Sequence, residues 1–227
     1  MTRAIGTLLA AVAVLACVPS TSTAGDGMGK AVLVGPPPKL RPAAGGVADE
    51  RIVVGPANGL KNVVVSVKNG AALGGQVPEK SADLDVRGNA YVPHVLPVMV
   101  GQKMWVRNND ATLHVVVTLP AKGKPLNVPL IETGPFSALD GARVAETYRV
   151  KCAVHPWMTA WVVVLDHPFF GVTGDDGTFE IPGLKPGKYT LVAWQEALGS
   201  REAEVEVGAD GKVVKAAEFQ FGAAAKK

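Results

Sequence analysis

Cys152, His155 and Met158 stand three residues apart in KCAVHPWMTAWVVVLDH, residues 151–167. C-x-x-H-x-x-M is loop spacing, and it can turn a thiol, an imidazole and a thioether toward one point. The chain holds only four histidines and two cysteines, so two metal-seeking side chains beside a thiol call for a chemical reason. His114, at the end of NNDATLHVVV, adds a second imidazole where a turn feeds a strand. Strand pairing can close the 38 residues between His114 and Cys152, and helical periodicity cannot.

One thiolate, two imidazoles and a thioether make the ligand set of a trigonal His2Cys copper site with a weak axial methionine. Soft sulfur donors disfavour magnesium and calcium. Zinc accepts cysteine and histidine but binds a thioether poorly, so Met158 turns the choice to copper. The bland reading is that Cys152 and Met158 are ordinary core, because a free cysteine packs well as a small hydrophobe.

Two further histidines need placing. His94, in YVPHV, precedes an apolar strand, where it is either a further donor beside the metal or a packed, hydrogen-bonded residue. His167, in LDHPFF, reads as a junction residue between domains.

The amino-terminal MTRAIGTLLAAVAVLA, one positive charge followed by an apolar run from Ala4 to Ala16, is a signal-peptide pattern too short to span a bilayer. Small residues at Ser22 and Ala24 suit cleavage after Ala24, giving a signal peptide of residues 1–24 and a periplasmic or secreted protein. VLAC, ending at Cys17, also approximates a lipoprotein processing site, and membrane attachment is expected only through lipidation there. Either fate removes Cys17 as a disulfide partner, so Cys152 is left as a single thiol in an oxidising compartment.

With 48% hydrophobic and 19% charged residues, 26 Gly and 17 Pro, the chain reads as globular and rich in turns. A net charge of +3 with scattered basic residues does not suit a nucleic-acid partner. Short β-rich runs recur: KAVLV, NVVVSV, ADLDV, KMWVRN, HVVVTL, ETYRVKC, AWVVVLD, GTFEI, KYTLVAW and EAEVEV. No amphipathic helix of ten or more residues stands out, so the fold class is all-β, built as antiparallel sandwiches or barrels. Residues 35–50 are a Pro/Gly-rich excursion, and 223–227 a disordered basic tail.

PHVLPVMVGQKMWVRNNDATLH and the cysteine loop together resemble the cupredoxins, with C-x-x-H-x-x-M matching the short ligand loop of amicyanin. The resemblance covers residues 78–166 and implies a Greek-key β-sandwich. It also implies an N-x-D turn at Asn108 or Asn109 with Asp110, and His114, Cys152, His155 and Met158 as copper ligands. Val115 and Asn89 depart from relatives that carry asparagine and cysteine at those places, which bears on site geometry and potential.

Residues 168–222 resemble the carboxypeptidase regulatory-like, or transthyretin-like, β-sandwich module in TGDDGTF and LKPGKY. The strands of residues 28–75 resemble its opening strands, so the copper domain would be inserted into the smaller sandwich. Placement of those strands as extra cupredoxin strands is the other option. No HxxE pair occurs, which excludes a zinc peptidase.

The function these features imply is that of a non-enzymatic exported type 1 copper protein passing one electron at a time to a redox partner protein. Pro156 and Trp157 would shape an apolar lip around His155. Copper storage or delivery, and a metal-free surface module, are the competing expectations.

Overall fold

A computed structural model describes residues 28–40, 48–134, 137–140 and 142–222. The signal sequence, Cys17, Ala24, part of the 35–50 excursion and the terminal tail fall outside them. Strands β1 (Gly29–Val34) and β2 (Val64–Val67) come first. Then follow β3 (Ala82–Arg87), β4 (Ala90–Val92), β5 (Val95–Met99), β6 (Met104–Asn108), β7 (His114–Leu119), β8 (Asn127–Leu130), β9 (Ser137–Ala138), β10 (Glu146–Cys152) and β11 (Thr159–Leu165). The chain continues with β12 (Phe170–Val172), β13 (Thr178–Phe179), β14 (Gly187–Gln195), β15 (Gly199–Val207), β16 (Val213–Lys215) and β17 (Ala217–Gly222). Helix among the described residues is confined to two short 3-10 turns, so the fold is all-β.

Four sheets make two sandwiches. The first packs β5-β11-β10-β7-β8 against β4-β3-β6-β9 over a core that includes Leu84, Tyr91, Val106, Tyr148 and Cys152. The second packs β12-β2-β14-β15-β16 against β13-β1-β17 over Leu60, Val65, Leu191, Phe219 and Phe221. β1 lies between β13 and β17, and β2 between β12 and β14, so both early strands belong to the sheets built after residue 168.

Alternation explains most strands. In β17, AEFQF buries Ala217, Phe219 and Phe221 and exposes the residues between. The valine run of β11 breaks the alternation because both of its faces are covered. Val162 and Val164 enter the first core, while Trp161, Val163 and Leu165 face the second sandwich beside Val64, Val95 and Trp194. There Trp161 meets Trp194 edge-on, with ring centroids 5.4 Å apart.

The GDDG segment is a turn: Asp176 Oδ1 accepts the Thr178 N–H at 3.0 Å, and Gly177 has φ +80°. A side chain at Gly177 would also meet the Ala31 carbonyl oxygen at 2.3 Å, so glycine is needed for space as well as conformation.

Candidate metal centre

The period of two that fills the first core also aims its donor side chains. Tyr148, Val150 and Cys152 point inward from β10, and His114, Val116 and Thr118 from β7. Antiparallel pairing sets Cys152 opposite Val116, which brings the thiol beside His114 and leaves the Val115 N–H 3.5 Å from Cys152 Sγ. The 152–158 loop closes tightly. Cys152 N–H donates to the Met158 carbonyl at 3.2 Å, and Met158 N–H to that of His155 at 3.0 Å. Pro156 fixes the backbone between them and folds the His155 ring back over the cysteine.

His114 Nδ1 and His155 Nδ1 are 3.1 Å apart, and Cys152 Sγ lies 3.9 and 3.8 Å from them. A point in the plane of that triangle is about 2.1 Å from all three atoms, close to the bond lengths of about 2.0–2.1 Å to nitrogen and 2.3 Å to sulfur that a borderline cation takes. Two imidazole nitrogens at 3.1 Å repel through their lone pairs unless a proton or a cation lies between them. The three residues therefore form a group able to hold a metal ion.

A polar turn holds His114 in place. Its ring is fully buried, with Nε2 3.1 Å from Thr112 Oγ1 and 3.3 Å from Asp110 Oδ2. Asp110 accepts the N–H groups of Gly88 at 2.7 Å and Asn89 at 2.8 Å. Buried Asn108 accepts the Asp110 N–H at 2.9 Å and donates to the carbonyl of Thr112 at 2.8 Å. The carboxylate keeps a proton on Nε2 and a lone pair on Nδ1. Burial first, and His155 second, hold the His114 pKa below the ordinary imidazole value despite Asp110. Met158 is buried in the same core cluster as Cys152, and His155 is half-buried against Trp157, ring centroids 5.2 Å apart.

The other two histidines lie apart from this group. His94 Nε2 is hydrogen-bonded to the Glu196 carboxylate, its Nδ1 is 3.7 Å from Glu50 Oε2, and its carbonyl accepts the Trp161 N–H at 2.9 Å. It is not a member of the His114–Cys152–His155 cluster. His167 accepts the Phe169 N–H at 3.1 Å and packs against Gly70, where a Cβ would come within 2.6 Å of its ring.

Sequence reading missed the roles of Asp110 toward His114 and of Glu50 and Glu196 toward His94. Asp110 had a signal, since it lies four residues before His114 in a turn. The two glutamates had none.

A family model described as polysaccharide lyase family 4, domain II, matches residues 165–215. It covers the stretch whose turn motifs resemble a carboxypeptidase regulatory-like module. No curated protein matches the chain. Among solved structures, a novel purple cupredoxin from Nitrosopumilus maritimus aligns at 24% identity over 37% of this chain and 100% of its own, with a TM-score of 0.33. A mutant of amicyanin in its reduced Cu(I) form aligns at 24% identity over 44% of this chain and 98% of its own, with a TM-score of 0.35. The copper-containing nitrite reductase of Thermus scotoductus SA-01 aligns at 19% identity over 60% of this chain and 28% of its own, with a TM-score of 0.35.

Proposed function

We propose that this chain is an exported copper protein and one-electron carrier, with His114, Cys152 and His155 as the trigonal ligands and Met158 as the weak axial one. The observation that carries the reading is the triangle of 3.1, 3.8 and 3.9 Å between two imidazole nitrogens and a buried thiol. Two sulfur side chains in that ligand set favour copper over zinc. Copper, when bound, supplies a one-electron couple between copper(I) and copper(II).

The part played by the residues is to stay still. Asp110 and Thr112 fix the His114 ring, the two backbone bonds across 152–158 fix the loop, and the Val115 N–H faces the sulfur. Ligands held this way rearrange little when charge changes, which suits electron transfer. Half-buried His155 is flanked by exposed Val154 and Pro156, and exposed Leu113 adjoins His114. These side chains offer a redox partner protein an apolar lip. The signal-peptide pattern supports export.

Copper(II) loading should give an intense thiolate charge-transfer band in the visible, lost entirely in Cys152→Ser. Stoichiometric zinc in the isolated protein, with no such band on copper loading, would overturn the reading. Repeated reduction and reoxidation beside a moderate copper(I) chelator should leave the metal bound. Rapid, near-complete loss at each reduction would instead mark a delivery protein.

A further inference from the structure

We infer that the pocket beside His94 is a second cation site, adjoining the Cys152 centre, in which His94 Nδ1 and the Glu50 carboxylate take a divalent transition-metal ion of the zinc(II) type. His94 has a side chain only 3% exposed, and its Nδ1 is buried without a hydrogen-bond partner. Its other nitrogen is taken by Glu196, whose second carboxylate oxygen accepts the Trp161 indole N–H at 2.6 Å. A carboxylate on Nε2 fixes the proton there and leaves the Nδ1 lone pair for a cation, the arrangement by which proteins orient metal-binding histidines.

Glu50 Oε2 is the partner on that side, 3.7 Å from Nδ1. An ion bonded to both atoms at about 2.0–2.1 Å spans such a gap. Both residues line one pocket of about 50 Å³, together with Asn89, Trp157, Met158 and Thr159, so the pocket shares Met158 with the Cys152 centre. Its volume leaves room for water to complete the coordination, since one water occupies about 30 Å³ of liquid. Trp157 also has a buried indole N–H without a partner. Asp49 lines the pocket too, but both of its oxygens are engaged by Arg51, at 2.8 and 2.5 Å, so it contributes charge and not a ligand atom. Glu50 is 36% exposed, which gives the ion a way in from solvent. With an imidazole and a carboxylate as its two donors, the pocket favours zinc(II) over copper(I), the reverse of the preference at Cys152.

The test is calorimetric titration with zinc(II) in two full-length backgrounds: protein whose Cys152 centre is already filled with copper(II), and Cys152→Ser protein. One zinc equivalent should be common to both and absent when Glu50→Gln is added. Glu196→Gln should weaken that equivalent about 10- to 100-fold, because His94 loses its orienting carboxylate; a purely structural role for Glu196 would leave a zinc affinity unmoved. Circular dichroism and the urea midpoint establish that the variants are folded. Absence of a Glu50-dependent equivalent in both backgrounds overturns the proposal. Failure of copper to load counts against the electron-carrier reading alone, since the zinc count in Cys152→Ser still decides this one.

Discussion

His114 and His94 are both buried, and each presents Nε2 to a carboxylate, yet their surroundings suit different ions. At His114 the carboxylate comes from Asp110 in the adjoining turn, and the atoms facing Nδ1 are a sulfur and a second imidazole. At His94 it comes from Glu196 in the other sandwich, and the facing atom is the Glu50 oxygen. The same carboxylate–imidazole unit thus suits a softer ion in one place and a harder one in the other, and the converging neighbour decides which. His167 is a third case: it is buried with only its chain neighbour Asp166 as a charge, and burial prevails, lowering its pKa.

The largest expected effect comes from removing the carboxylate of the first centre. Asp110→Ala frees the His114 ring and orphans the N–H groups of Gly88 and Asn89. Copper affinity should fall about 10- to 100-fold and unfolding free energy by about 2–4 kcal/mol. Competition with a copper chelator and a urea melt read the two. Unchanged affinity would break the claim that Asp110 orients a ligand.

Glu196→Ala is the matched change at the second pocket. It leaves the half-buried Trp161 indole and His94 Nε2 without acceptors, and should cost about 1–3 kcal/mol in the same melt. The thiolate charge-transfer band should stay in place. Its loss would mean that the two pockets are one unit.

The smallest effect sharpens the contrast with His167. Burial lowers the folded-state pKa of both His167 and metal-free His114, so the unfolded chain takes up protons first. Stability from this source is complete above the unfolded value of about 6.5. It is lost as pH falls toward the folded values, at up to about 1.4 kcal/mol per pH unit for each histidine. Urea midpoints should therefore be lower at pH 5.5 than at pH 7.5, and filling the Cys152 centre should not remove the share due to His114, because a ligated ring takes up no proton in the folded state. Equal midpoints at the two pH values would show that neither ring is kept neutral by its surroundings.

Local chemistry was legible from sequence. Period-two alternation announced β7, β10 and β14, because one face of each meets a core. The 152–158 spacing announced a loop that brings Cys152 and His155 together, because residues that close in sequence converge through the loop's own backbone. Edge strand β8 was not legible: it carries Pro129, buries little and shows no apolar alternation. The valine run of β11 said that both faces are covered, without saying by what. That the cover is a second sandwich, that the first strand pairs in parallel with the last, and that Glu196 reaches His94 from 102 residues away are decisions of tertiary packing. Residue order sets which atoms are near along a strand or a turn. Which carboxylate meets which imidazole across two sheets depends on how their faces dock, and no spacing along the chain encodes that.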